Sequence, residues 1–243
     1  VLNCPNPSQD VEAVICARPA LDVRRVSGWG TCQIYHDIRK VRAAAAEMLK
    51  EKDRLSGDPN YEHDIADVVR QTLTDSTYYL LKDIAASYNK KDMVAFKQQY
   101  TVFLGVLKDL NRLLSQIDFF TLERWTSSAR NICNEAPGTT EADRDWMEWN
   151  ARTLISVWGP EVCAERGRLH DYSSRQWGGL LNDFQLARWE MFFKALEEGK
   201  TITSPEWFKW EENWTRSKTI TKVAEENAVD VACELYDKYF SKQ

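Results

Sequence analysis

The sequence predicts an all-α protein, a single multi-helix bundle of about eight helices behind an irregular N-terminal lead. Three observations lead there. Glycine and proline are scarce, at 10 and 7 in 243 residues, so breaks are few and long helices fit between them. Apolar residues recur at spacings of four and three through residues 96–117, the stripe of a helix in a bundle seam. No stretch alternates apolar and polar residues as a half-buried strand would, and the β-branched runs are short and isolated.

Each element follows in order. Residues 1–30 carry prolines at 5, 7 and 19 and the turn signal "SGWG" at 27–30, and read as the lead from a preceding domain; residues 31–243 form the helical domain. The composition of "DIRKVRAAAAEMLKEK" predicts a helix from about Ile34 to Lys50, which "SGDPN" at 56–60 ends. Residues 62–88 place Ile65, Val68, Val69, Leu73 and Leu80 on one helical face. In 92–117 the seam comprises Phe96, Tyr100, Phe103, Leu107, Leu110, Leu114 and Ile117. "FFTLERWTSSARNIC" is a short helix, and "NEAPGTT" breaks it. "TEADRDWMEWNARTLISVW" opens with a threonine cap and acids in its first turn, and should run until Gly159-Pro160 stop it. A polar loop is expected at 161–170, with Asp171 capping a helix whose buried stripe is Trp177, Leu180, Leu181 and Phe184. Trp189, Phe192, Phe193 and Leu196 carry a further helix to Gly199. Ser204-Pro205 is a start signal, and a last helix covers about 221–240.

Composition narrows the function. Hydrophobic residues are 43% and charged residues 28%, as in a globular protein. Net charge is −5 with acids and bases interspersed, so no basic block could neutralise a run of phosphates, and a nucleic-acid partner is not expected. No apolar run approaches membrane-spanning length, and the start shows no secretory pattern. The polar opening "VLNCPNPSQD", without methionine, suggests a piece of a longer chain. Cysteines at 4, 16, 32, 133, 163 and 233 form no CxxC pair, and His36, His63 and His170 show no ligand spacing, so neither a metal site nor a cofactor is expected. The even cysteine count allows disulfides without requiring them, and small buried thiols are the simpler reading.

No nucleophile elbow, phosphate loop or HExxH is present. Glu206 and Glu211 in "PEWFKWEENW" read as a solvated helix face, not as the paired carboxylates of a self-contained hydrolase. Asp67 and Arg70 read as an ion pair within one helix, and Asn213-Trp214-Thr215 as a weak glycosylation sequon. Arg152 and Arg188 sit in apolar surroundings and each calls for an acidic partner. The ten tryptophans mostly fall at core spacing. Trp158 differs, because Gly159-Pro160 turn the chain there and can leave its indole at a rim, with Tyr172 across the loop. Packing alone favours core over pocket for this pair.

"YEHDIADVVRQTL", "NARTLISVWGP" and "LHDYSSRQWGGLLNDFQLARWEMFFKAL" nonetheless make a pattern. With "ARPALD" at 17–22 and "FFTLERWTSSAR" at 119–130, the chain resembles the C-terminal all-helical domain of the α-N-acetylglucosaminidase family, glycoside hydrolase family 89, in register from about residue 17. The resemblance implies a retaining exo-hydrolase that removes terminal α-linked N-acetylglucosamine and acts outside the cytoplasm. Its two catalytic glutamates lie on a TIM-barrel domain, so this chain is expected to hold no catalytic residue. It also implies that Trp158 and Tyr172 line the sugar pocket, with Leu169 three residues before the tyrosine, and His170 beside it, where the pattern has an aliphatic residue. Segment 161–168, "EVCAERGR", is longer than the pattern allows and makes Leu169 the loosest match. The competing reading is a stand-alone helical interaction or scaffolding domain with an apolar groove for a partner helix.

Overall fold

The computed structural model describes residues 11–28 and 30–241. Cys4, Pro5, Pro7 and Trp29 of the lead lie outside the described residues. Among the described residues nine α-helices follow one another: α1 (Ile38–Leu49), α2 (Lys52–Leu55), α3 (Pro59–Asn89), α4 (Met93–Leu114), α5 (Leu122–Ile132), α6 (Glu141–Leu154), α7 (Ala187–Glu197), α8 (Ser204–Thr215) and α9 (Ala228–Phe240). All but the single turn α2 correspond to helices expected from the sequence, about eight in number. Among the described residues there is no strand, and two isolated bridges, Val11 to Thr31 and Thr121 to Gly178, are the closest approach to one.

Local chemistry sets the helix ends. α1 starts at Ile38 and not near Ile34, because Asp37 accepts the Arg39 N–H as its cap. Asp58 caps α3 with Pro59 in its first turn, and Asp92 caps α4 through the Ala95 N–H. Thr140 and Asp143 form a capping box at α6. Thr203 and Glu206 do the same at α8, where the Glu206 carboxylate accepts the Thr203 N–H at 2.8 Å. The last helix begins at Ala228, not 221. Asn227 caps it, and the preceding segment is held extended by side chains, with Thr221 N–H donating to Asp183 and Glu226 N–H to Gln116.

α3 and α4 form the centre, with α1 and α9 against α3 and the 181–197 segment against α4. From the predicted faces Ile65, Val69, Leu73, Phe96, Phe103, Leu107, Leu110 and Leu114 are buried. Val68, Leu80 and Tyr100 are half-buried, and Ile117 lies past the end of α4. The Phe103 ring meets Trp189 edge-on at 4.7 Å, and Tyr100 stacks on Phe193 at 4.9 Å. Each such buried side chain stabilises the fold by roughly 1.5–3 kcal/mol. A second apolar cluster, Leu122, Ile155, Leu180, Phe184 and Trp214, joins α5, α6 and α8. The lead is integral to the first core, since Val14 to Ala17 are buried and the Trp189 indole N–H donates to the Ile15 carbonyl.

Two expectations between α6 and α7 need correction. Segment 161–168 is not an irregular loop. Val162–Arg166 is a π-helical turn closed by the Gly167 N–H on the Val162 carbonyl, with Ala164 buried beneath it. Asp171 does not cap a helix. The chain stays irregular past Gly178, enters a π-helical stretch at Leu181–Leu186 and continues directly into α7. Glycine is required on the way in. A Cβ on Gly178 would lie 2.7 Å from Ser115 backbone atoms, and Gly179 has φ +84°.

Candidate functional site

Helix α6 stops at Leu154, five residues before Gly159 of the expected glycine-proline break. Trp158 follows with φ +68°, its N–H donating to the Thr153 carbonyl at 2.7 Å. A bulky side chain in the left-handed region is strained, by about 1–2 kcal/mol. Five non-glycine residues among those described have positive φ, and Trp158, Arg168, Asp171 and Ser174 are four of them. Strain concentrated in one short stretch is characteristic of functional surfaces, where the surroundings must over-determine it.

Trp158 and Tyr172 are brought together. Their ring centroids lie 4.8 Å apart in an edge-on contact. Trp158 is half-buried, while Tyr172 is 41% exposed. Neither ring is sealed in core. Tyr172 borders a cavity of about 320 Å³, with Arg70, Gln71, Thr74 and Asp75 of α3 on one wall and Gln176 beyond it. The Thr74 hydroxyl donates to the Gln176 side-chain oxygen at 2.7 Å and ties the walls together. Trp158 reaches that cavity only through its contact with Tyr172; like the half-buried Leu169 and His170, it does not line it. Leu169 supports the turn through its carbonyl, which accepts the Tyr172 N–H, and His170 Nδ1 lies 3.2 Å from Asp171. The Asp67–Arg70 pair is present at 2.8 Å, and its arginine faces the cavity. Among the described residues no three His, Cys, Asp or Glu side chains gather as a metal site.

Behind the two rings lies a buried ion network. Arg188, fully buried, grips Asp171 with both terminal nitrogens, at 2.9 and 3.0 Å, and donates to Glu211 at 2.8 Å. Arg18 then bridges Glu211, at 2.7 and 3.2 Å, to Glu165 of the π-turn, at 2.8 and 3.0 Å. Arg152 has its expected partner in Glu148, at 3.1 Å. The reading of Glu211 as solvated is wrong, since it is 1% exposed; Glu206 is the exposed one, used in the α8 capping box. The sequence held a signal for this. Glu211 stands four residues after Trp207 and three before Trp214, both buried, so it shares their inward face.

Burial alone would raise the Asp171 carboxyl, but Arg188 and the His170 ring outweigh it and hold it below its ordinary 3.8. Burial likewise works against Glu165, and Arg18 outweighs it, keeping that group below its ordinary 4.5. Carboxyls depressed in the folded state contribute stability that is complete above their unfolded values and is lost as pH falls through the folded ones. The melting temperature is therefore expected to be level from about pH 7 to about pH 5 and to fall below about pH 4. Differential scanning calorimetry checks this, and a Tm still level at about pH 3 would contradict it. Cys16, wholly buried beside this network, has its thiol pushed up to about 12 by burial and stays protonated.

The alpha-N-acetylglucosaminidase (NAGLU) C-terminal domain family matches residues 1–238. Human alpha-N-acetylglucosaminidase is 27% identical over 175 residues, covering 72% of this chain and 22% of the human protein. The family 89 glycoside hydrolase from Clostridium perfringens, solved in complex with PUGNAc, superposes with a TM-score of 0.85 at 29% identity, over 94% of this chain and 27% of that one. A form with two Glu-to-Gln substitutions, in complex with its substrate GlcNAc-alpha-1,4-galactose, gives a TM-score of 0.83 at 30% identity, over 92% of this chain and 26% of the other. The chain thus spans about a quarter of the length of these relatives. With the match running across nearly every residue and the helices superposing as they do, the chain belongs to the alpha-N-acetylglucosaminidase C-terminal domain family.

Proposed function

We propose that this chain is the C-terminal helical part of a longer retaining exo-α-N-acetylglucosaminidase that acts outside the cytoplasm. In that enzyme it packs on a TIM-barrel catalytic domain and walls the pocket for a terminal α-linked N-acetylglucosamine. The observation that carries this reading is the exposed Tyr172 ring held against Trp158 on a strained turn beside a polar cavity. Sugar rings have apolar faces that stack on aromatic planes, and hydroxyls that need polar neighbours such as those along α3. Leu169 and His170 belong to the same rim in this reading, supporting the turn that carries Tyr172 from outside the cavity. No helix of the described residues is long and apolar enough to cross a membrane.

The barrel glutamates would carry the double displacement, one protonating the leaving oxygen and the other attacking the anomeric carbon. Trp158 and Tyr172 make and break no bond. They exclude water and fix the sugar's orientation, so that binding energy is used at the reacting centre. The test compares the full-length enzyme with this chain alone on an aryl α-N-acetylglucosaminide. The full-length enzyme is expected to release the α-anomer first, seen by proton NMR, and the chain alone to release nothing. Turnover by a clean preparation of the chain alone would overturn the reading.

A further inference from the structure

We propose that Glu211 is a positioning residue for the sugar rim, acting through a buried ion chain that sets the place of the Tyr172 turn. This rests on the reading of Trp158 and Tyr172 as pocket residues.

The chain of charges runs Glu165, Arg18, Glu211, Arg188, Asp171, each link within hydrogen-bond distance. It draws together the lead, the π-turn, α8, α7 and the turn that bears the tyrosine. Its last member is the residue just before Tyr172. Asp171 and Ser174 bracket the tyrosine and both have left-handed backbones, at φ +57° and +46°. Such backbones persist only where their surroundings dictate them. Asp171 is dictated on two sides. Arg188 holds its carboxylate with both terminal nitrogens, and its backbone N–H donates to the Ser156 carbonyl at 2.6 Å. Ser156 lies two residues before Trp158. Asp171 therefore ties both ring-bearing segments together, its backbone to the Trp158 side and its carboxylate to Arg188, and Glu211 fixes the arginine that holds that carboxylate.

Stability alone does not explain the arrangement. Burying three charges and half-burying two more is costly, and well-packed apolar side chains of the same volume would serve a core at least as well. What the charges add is direction. A bidentate guanidinium fork accepts a carboxylate in one plane, and Glu211, shared between Arg188 and Arg18, aligns two such forks. Loss of the Glu211 charge would let Arg188 swing, and the Tyr172 ring would move with the turn.

The test is a double-mutant cycle in the full-length enzyme, with kcat/KM on the aryl α-N-acetylglucosaminide and Tm read for every variant. Glu211→Gln is expected to lower kcat/KM about tenfold in the native background, yet by less than about twofold in a Tyr172→Ala background, with the same Tm loss in both. A residue that only supports the fold would give equal losses of kcat/KM in the two backgrounds. That result, or a Glu211→Gln enzyme with lowered Tm and unchanged kcat/KM, overturns the positioning role and leaves the rim reading standing. A Tyr172→Ala enzyme with undiminished kcat/KM overturns the rim reading itself and the positioning role with it. Where Glu211→Gln fails to fold, Arg18→Lys at the more accessible end of the chain enters the same cycle, with an expected loss of about threefold and the same discriminating pattern.

Discussion

Trp158→Ala in the full-length enzyme is expected to lower kcat/KM on an aryl α-N-acetylglucosaminide by about tenfold or more, which is about 1.4 kcal/mol of transition-state stabilisation. The indole does two things at once. In the proposed pocket it would offer the sugar an aromatic surface, and it props Tyr172, with the two ring centroids 4.8 Å apart. Removing it strips away both the contact and the prop, so the loss should appear in kcat as well as in KM. The backbone at this position supplies a control. With φ +68°, alanine keeps the strained Cβ and glycine does not. Trp158→Gly should therefore be more stable than Trp158→Ala by about 1 kcal/mol while showing the same catalytic defect. Unchanged kinetics in both variants would remove Trp158 from the pocket.

The second large effect is on stability. Arg188→Met is expected to cost about 3–5 kcal/mol, read as a fall in the urea midpoint with the slope unchanged. The arginine is fully buried, stacks 4.1 Å above the Phe184 ring and serves two carboxylates. Methionine fills comparable volume but leaves Asp171 buried without its main cation; Glu211 retains Arg18. The acid transition should also move to higher pH, because Arg188 is what reverses the effect of burial on Asp171. Adding Asp171→Asn to Arg188→Met should restore part of the loss, since the uncompensated charge is then gone. A single-variant loss below about 1 kcal/mol would mean that water reaches these groups freely.

Much of this protein was legible in its sequence. The four-and-three spacing from Phe96 to Leu114 gave the central helix, the Thr140 cap and the break at 56–60 fell where local signals put them, and α8 begins at the Ser204-Pro205 signal, on a Thr203 cap one residue before it. The need of Arg152 and Arg188 for acidic partners followed from their apolar neighbours alone. The resemblance to a glycosidase family singled out Trp158 and Tyr172, which the folded chain puts in contact. Other features were not legible. Polar "EVCAERGR" looks like a loop because nothing within it shows that Arg18 will hold Glu165 and shape the segment into a π-turn. Asp171 looks like a cap because aspartate before a helix usually is one, yet its carboxylate is taken by Arg188 first.

The dividing line follows from range. A sequence read by itself exposes neighbours three and four residues apart, which share a helical face, and so it determined most of the helices, their buried stripes and the need of Arg152 for an acid, met by Glu148 four residues away. Glu211 and Arg18 stand 193 residues apart, and Arg188 and Asp171 stand 17 apart across an irregular turn. Which charges meet over such separations is settled only when the helices dock, because burial then makes an unpaired charge far more costly than it is in water. The tertiary structure alone decided that pairing, and with it the placement of the turn that carries Tyr172.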